Sequence, residues 1–396
     1  MNIPLVDLKA QYKTVEEKAM KAVSEVLSSA SYIMGKDVTE FEKEFAEYIG
    51  VKHAISVGNG TDALVLALMA CGIGEGDEVI TTPFTFFATA ESISFIGATP
   101  VFVDVEKDTY NIDPLKIEEK ITKKTKAIMP VHIFGQPAKM DEIMAIAKKY
   151  NLKVIEDAAQ AVGSEYKGKK SGAIGDVGCF SFFPTKNLGC AGDGGIITTS
   201  NDNIATIARA LRTHGSGENG QRAYNLLNNI NEEVKTSEGH DDTVYNPLKY
   251  YNYLIGFNTR LDTIQAAILR IKLSNIDNWN EKRRENAKMY DEKLKDTGLT
   301  LPFSILESKS VYNMYVVQSG NREEMINKLQ DKGISTGVYY PVPMHLQKVY
   351  KNLGYIEGDM PVAEYLAHRT FAIPIFPELS IEQKDYIVDT IKDINC

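Results

Sequence analysis

Cysteine is scarce and scattered. The four in 396 residues, Cys71, Cys179, Cys190 and Cys396, show neither metal-ligand spacing nor the density of a disulfide framework. No apolar run is long enough for a bilayer. The longest, Ala63 to Gly74, contains glycines and stops at Glu75, short of the ~20 residues a spanning helix needs. Basic residues are in deficit, with 44 Lys and Arg against 53 Asp and Glu, a net charge of −9. Proteins that grip nucleic acid or anionic membranes need the opposite balance, so neither partner is expected. The opening Met-Asn-Ile-Pro-Leu-Val-Asp lacks the basic start and apolar stretch of a secretory signal, so a cytoplasmic location is expected. Internal repeats and low-complexity segments are also missing. At 43% hydrophobic and 24% charged the composition is that of a folded globular chain. Its length suits one large domain with a smaller companion.

From Val51 to about Ser200, short apolar runs alternate with amphipathic stretches. Seven strands are expected, at Ala54–Val57, Glu78–Thr81, Pro100–Val103, Ala127–Val131, Val154–Glu156, Cys179–Phe182 and Gly195–Thr199. Helical patterns lie between them at Thr61–Ala70, Ala88–Ile96, Pro114–Ile121 and Lys139–Tyr150. This alternation predicts an α/β fold, a mostly parallel sheet with helices on both faces. Ligands of such sheets bind at the carboxyl ends of the strands. The polar stretch Gly215–Tyr253 has weak periodicity and reads as a surface excursion. Two helices then follow at Arg260–Asn275 and Ile276–Lys295. Beyond them lie a strand at Tyr312–Gln318, a helix at Arg322–Lys332, a loop around Tyr339–Gln347 and a last helix from Ser380. The expected division is a large domain, 1–255, and a smaller C-terminal α/β domain, 256–396.

Four segments between these elements are candidates for chemistry. Gly58-Asn59-Gly60-Thr61-Asp62-Ala63 joins a strand to a helix and fits G-x-G-x-x-A, a pattern whose N–H groups hold a phosphate. A dinucleotide site also needs an acid at the end of the second strand, but that strand ends Ile80-Thr81-Thr82-Pro83. Phosphate binding is therefore expected and NAD binding is not; the plainer alternative is a tight turn capping a helix. Gly163 with Gly168-Lys169-Lys170 lacks the hydroxyl residue of a P-loop and reads as a basic surface turn. Asp157, in Val154-Ile155-Glu156-Asp157-Ala158-Ala159-Gln160, follows a buried strand, where an acid either meets a ligand or caps a helix. Lys186 stands between the apolar strand Cys179–Phe182 and the glycine-rich turn Gly192-Asp193-Gly194-Gly195. Partial burial there would lower its pKa and make it a Schiff-base amine; an ordinary snorkelling lysine is the alternative. With the aromatic segment Phe84-Thr85-Phe86-Phe87, these sites make up the set pyridoxal phosphate needs. They supply an anion cradle, a carboxylate for the ring nitrogen, an imine-forming lysine and a stacking face. No metal is called for.

Motifs along nearly the whole chain resemble the DegT/DnrJ/EryC1/StrS sugar aminotransferases, fold type I pyridoxal-phosphate enzymes. They begin with Pro4-Leu5-Val6-Asp7-Leu8, Tyr32-Ile33-Met34-Gly35 and Asn59-Gly60-Thr61-Asp62-Ala63. Glu156-Asp157-Ala158-Ala159-Gln160, Ser181-Phe182-Phe183-Pro184-Thr185-Lys186, Gly192-Asp193-Gly194-Gly195 and Gly256-Phe257-Asn258-Thr259-Arg260-Leu261 continue the series. The resemblance implies Lys186 as the Schiff-base lysine and Asp157 as partner of the pyridine nitrogen. It implies Gly60, Thr61 and Ser181 at the phosphate, Phe86 stacked on the ring and Gln160 beside the ring hydroxyl. Asn258 matches a phosphate ligand supplied by the neighbouring subunit of a homodimer with shared sites, and Arg260 beside it faces the substrate. Tyr339-Tyr340-Pro341-Val342-Pro343-Met344-His345 resembles the nucleotide-sugar loop, with Tyr339 where the family usually has His. Tyr339, Tyr340 and His345 are thus candidate substrate contacts, and His214 is a further one.

The activity so implied moves an amino group from glutamate to a nucleotide-linked keto-sugar, in polysaccharide or glycan precursor synthesis. Cys179–Gly195 and Thr82–Ile93 are most similar to the branch acting on UDP-2-acetamido-2-deoxy-3-oxoglucuronate. A dTDP-linked 3-keto-6-deoxyhexose is the alternative substrate, and a non-catalytic pyridoxal-phosphate-binding regulator the alternative role. A 3-dehydratase of the same family would carry His in place of Lys186.

Overall fold

In a computed structural model, which describes residues 1–234 and 250–395, seven strands form one sheet. They are β1 (His53–Val57), β2 (Glu78–Thr81), β3 (Thr99–Phe102), β4 (Thr125–Met129), β5 (Lys153–Asp157), β8 (Val177–Ser181) and β9 (Gly195–Thr199). The spatial order is β1-β9-β8-β5-β4-β2-β3, and β9 alone runs antiparallel to its neighbours. All seven expected strands are present within two residues of their expected limits. Between β5 and β8 a small hairpin, β6 (Glu165–Tyr166) and β7 (Lys169–Lys170), takes β10 (Ser308–Lys309) as a third strand. It holds the basic turn Gly168-Lys169-Lys170. A separate pair, β11 (Tyr315–Gln318) and β12 (Thr370–Ile373), lies in the C-terminal part.

The period of two in the strands sorts the core. Ile55, Val57, Cys179 and Ile197 point into one buried cluster, with helices Gly60–Ala70 and Asp202–Leu211 over it. Ala54, Phe180, Phe182 and Ile196 point into the other, against Phe41, Phe45, Leu269 and Trp279. Leu269 and Trp279 belong to helices Thr263–Leu273 and Ile276–Leu294, while Ile3 packs with Tyr315, Phe371 and Ile387 in the C-terminal cluster. The packing therefore crosses residue 255 in both directions. Among the described residues no helix is long and apolar enough to cross a membrane.

Three departures from the sequence pattern have simple causes. Pro114–Ile121 is not a helix but two 3₁₀ turns, Pro114–Lys116 and Glu118–Lys120, ending at an extended Ile121. Only the first turn has a side-chain cap, the Asp113 carboxylate accepting from Leu115 N–H, and the extended backbone at Ile121 stops the second. The expected excursion contains a helix, Gly217–Leu227, and its ends meet where Gly217 N donates to Tyr251 O (3.0 Å) and Tyr253 N to Gly215 O (2.8 Å). Residues 235–249 of that excursion, and Cys396, lie outside the described residues. In the C-terminal part, helix Pro361–Arg369 and β12 complete the small α/β layer.

Candidate active site

Strand direction gathers the candidate residues. Since β1, β8, β5, β4, β2 and β3 run one way, their carboxyl ends share an edge, and the amino end of the opposed β9 joins them. Gly58-Asn59-Gly60, Ser181, Asp157, Thr82–Phe87 and Gly192–Gly195 all lie along this edge. Helix Gly60–Ala70 starts there, its first turn capped by the Asn59 carboxamide accepting from Asp62 N–H (2.8 Å). A Cβ on Gly60 would stand 2.7 Å from Ser181 Cβ, and one on Gly195 would stand 2.3 Å from Asn59 O. Only glycine allows this approach of helix start to strand end, so Gly60, Thr61 and Ser181 line one small cradle at a positive helix terminus.

Successive residues of β5 face opposite ways. Glu156 turns away from the edge and is fully buried. It accepts from His132 Nε2 (2.8 Å) and from the N–H groups of Gly172 (2.8 Å), Ile174 (2.8 Å) and Gly175 (2.7 Å). His132 Nδ1 accepts from Ala138 N–H (3.1 Å), which leaves the ring proton on Nε2, aimed at Glu156. Asp157 turns toward the site. Its Oδ2 accepts from Thr89 Oγ1 (2.7 Å) and its Oδ1 from Ala159 N–H (3.2 Å). Burial pushes the Asp157 carboxyl above the usual aspartate range; Thr89, Ala159, Lys186 and His132 pull it back.

Lys186 caps a tight loop in which its N–H donates to Phe183 O (2.9 Å) and Cys190 N–H to Phe182 O (2.7 Å). Its ammonium makes no hydrogen bond among the described residues. The side chain keeps a little solvent contact, yet crowding by protein draws its pKa down to about 8, with attraction to Asp157 opposing the fall. The loop is pinned from behind. Asn187 Nδ2 donates to Asn280 Oδ1 (2.7 Å) and Val311 O (2.9 Å), and its Oδ1 accepts from Asn313 (2.9 Å). The buried Lys272 ammonium holds Gly189 O (2.7 Å).

The remaining candidates divide. Gln160 is buried beside Asp157, accepting from Phe134 N–H (2.7 Å) and donating to the Tyr340 hydroxyl (3.0 Å). Tyr340 packs edge-on against Phe84, and burial raises its phenol pKa above the usual tyrosine value. Tyr339 stands edge-on to Tyr340, its carbonyl held by Thr370 Oγ1 (3.0 Å). Phe86 is 61% exposed, a free ring face at the edge. Arg260 follows Thr259, which accepts from Gly58 N–H (2.9 Å) and donates to Asp62. The Arg260 guanidinium forms no ion pair among the described residues, and Asn258 is exposed. His214 donates its N–H to Phe257 O (2.8 Å) in that neighbourhood. His345 is a correction to the sequence reading. Its ring is buried, with Nε2 on Glu364 Oε1 (2.9 Å), so it has no surface to offer a sugar and instead ties its loop to helix Pro361–Arg369. Among the described residues no cluster of His, Cys, Asp or Glu could hold a metal.

With a buried acid, a desolvated lysine and a glycine cradle on one sheet edge, known proteins can be compared. Residues 13–392 match the DegT/DnrJ/EryC1/StrS aminotransferase family. The chain belongs to this family. A pleiotropic regulatory protein of Geobacillus stearothermophilus is 44% identical, covering 99% of this chain and 98% of that one. The dTDP-3-amino-3,6-dideoxy-alpha-D-galactopyranose transaminase of Aneurinibacillus thermoaerophilus is 42% identical over 98% of both chains. The UDP-2-acetamido-2-deoxy-3-oxo-D-glucuronate aminotransferase of Pseudomonas aeruginosa is 40% identical, covering 95% and 96%. Among solved structures, S. venezuelae DesV in complex with a ketimine intermediate superposes with a TM-score of 0.90 at 37% identity, covering 100% of this chain and 98% of that one.

Within this family frame, the sequence reading missed Thr89, His132, Asn187, Lys272, Asn280 and Asn313. Asn187 and Thr89 lay inside quoted segments, but nothing local distinguishes a buried hydroxyl or amide from a surface one. Their partners are 68 to 126 residues away.

Proposed function

The chain is a pyridoxal-phosphate-dependent sugar aminotransferase, and we propose that it moves an amino group from glutamate to a nucleotide-linked keto-sugar. C3 of UDP-2-acetamido-2-deoxy-3-oxoglucuronate is the favoured acceptor carbon. The observation that carries this reading is Lys186, desolvated, without a hydrogen-bond partner among the described residues and electrostatically attracted to the buried Asp157. The residues fit the cofactor. The cradle of Gly60, Thr61 and Ser181 would take its phosphate, Asp157 its ring nitrogen and Phe86 its ring face. When bound, pyridoxal phosphate supplies a conjugated ring that accepts the electron pair left at the substrate carbon.

The protein's own part is proton handling and charge. At a pKa of about 8 Lys186 is a free amine in an appreciable fraction near neutrality, and so serves as nucleophile and then as general base and acid. Asp157, whose carboxylate accepts from two donors, would hold the cofactor's ring nitrogen in its protonated form. Arg260, without an ion-pair partner among the described residues, is the cation for a uronate carboxylate or for the diphosphate. We infer a cytoplasmic homodimer whose partner's Asn258 would complete the phosphate cradle. In support, Asn258 is exposed beside the large exposed apolar side chain of Ile255 (95% exposed).

The test supplies purified protein with pyridoxal phosphate, glutamate and a panel of UDP- and dTDP-linked 3-keto-sugars. A visible band that glutamate bleaches, followed by amino-sugar formation, is expected. The regulator reading, favoured by the 44% identity to the Geobacillus protein, predicts the band without any amino-sugar. Arg260→Lys then tests the substrate. If Arg260 grips the carboxylate, a uronate loses about 1.5–3 kcal/mol more than the matching neutral sugar, the range for a charged hydrogen bond. Equal losses assign Arg260 to the diphosphate. Mixing inactive Lys186→Ala and Asn258→Ala proteins should restore part of the activity, since hybrid dimers hold one intact site. No recovery after subunit exchange removes Asn258 from the shared site.

A further inference from the structure

Behind Asp157 lies a polar chain that the reaction as described does not use. Thr85 and Thr89 are each 1% exposed and Asp157 4%, so their hydrogen bonds are shielded from bulk solvent. Thr89 Oγ1 lies 2.7 Å from Asp157 Oδ2, and Thr85 Oγ1 lies 2.9 Å from Thr89 Oγ1. An ionised carboxylate only accepts, which fixes the direction of the whole chain. Thr89 donates to Asp157, and Thr85 donates to Thr89. Thr89 sits in the first turn of helix Ala88–Phe95, its N–H on Phe86 O (3.2 Å). One turn of chain thus presents the exposed Phe86 ring and the hydroxyl that holds the acid.

We propose that Thr89, oriented by Thr85, is a positioning residue that holds the Asp157 carboxylate in one orientation and in its charged form for the cofactor ring. The proposal rests on the aminotransferase reading. Three physical points favour it over a packing role. A buried carboxylate that loses a donor keeps its full desolvation cost, whereas a threonine that merely fills space is replaceable by valine. Asp157 Oδ1 is already taken by Ala159 N–H, so among the described residues Thr89 alone fixes the second oxygen. Burial is the largest influence on Asp157 and disfavours its charge. The other titratable groups around it are Lys186, His132, Cys179 and Tyr340; the first two favour the charge, and the thiol and phenol would oppose it only once ionised.

The test compares Thr89→Val, which keeps the shape, with Thr89→Ser, which keeps the hydroxyl. In cofactor-free protein, loss of the donor raises the folded-state pKa of Asp157 further. The destabilisation of Thr89→Val relative to wild type therefore grows with pH through that window. Its loss of Tm should be several times larger at about pH 8 than at about pH 5, with Thr89→Ser matching wild type at both. In loaded enzyme, bleaching of the visible band by glutamate should slow on the order of tenfold in Thr89→Val, at unchanged half-saturating glutamate, and recover in Thr89→Ser. A loss of Tm that is equal at both pH values, or shared by Thr89→Ser, would overturn the proposal, as would unslowed bleaching. If Thr89→Val does not fold, Thr85→Val carries the test, with a smaller effect of the same pH sense expected and a pH-independent one fatal. Failure of the aminotransferase reading is distinguishable, because it shows in the wild-type protein, while the melts need no cofactor.

Discussion

Lys186→Ala is expected to abolish amino transfer while the protein still folds. Both the imine-forming amine and the proton carrier are lost. The fall should therefore exceed the ~10²–10⁴-fold typical of removing acid–base help alone. A variant with more than trace turnover in the absence of added amine would refute the assignment. The same residue makes a second, opposite demand on stability. Burial depresses its pKa from the ordinary lysine value to about 8, so its charge costs the folded state free energy near neutrality. That cost is full below about pH 8 and fades as pH rises from there to the unfolded value. Cofactor-free Lys186→Met, which keeps the stem's packing, should therefore melt above wild type at pH 7. The gap should close toward about pH 10.4, the unfolded lysine value. The site is held at a cost in stability, as reactive sites commonly are. A constant gap across that range would mean the ammonium is not desolvated.

Asp157→Asn should leave a protein that binds pyridoxal phosphate and turns yellow but responds slowly to glutamate. An amide cannot balance a positive ring nitrogen. The lost charged hydrogen bond, about 1.5–3 kcal/mol, corresponds to a slowing of roughly ten- to a hundredfold, measured as the rate of bleaching. Asp157 also supplies the attraction that opposes desolvation of Lys186. Its removal should carry the free lysine of cofactor-free protein below a pKa of about 8 and shift the pH dependence of its reaction with added pyridoxal phosphate downward. Stability moves in the reverse sense. A buried carboxyl with a raised pKa destabilises the fold once ionised, so the cofactor-free variant should gain over wild type above that raised value and lose the gain below the usual aspartate range. Bleaching at the wild-type rate would assign the ring nitrogen to another residue.

Much of this was legible before any coordinates. Seven apolar runs at regular spacing announced the sheet because buried parallel strands must be apolar on both faces. Residues just past those runs gather at one edge, which is how Gly60, Asp157 and Lys186 could be singled out as candidates; Ser181 was named only through the family resemblance. Legibility failed where meaning depends on a distant partner. His345 looks like a substrate contact in its loop, yet Glu364 claims it. Thr89 reads as a routine helix residue until Asp157 is placed beside it. Helix Gly217–Leu227 was hidden by a polar composition with little apolar periodicity, and β12 is only four residues long and meaningful only against β11.

Helix Gly60–Ala70 has a consequence for motion. Every residue from Ala63 to Leu68 is buried, so the helix has no solvent-facing side along which to slide. Shifting it by even an ångström would unpack the interior that holds the sheet, because close-packed interiors transmit strain rather than absorb it. The cradle at its first turn is therefore a fixed anvil. Movement in the site must therefore come from the elements around the cradle and not from the cradle itself.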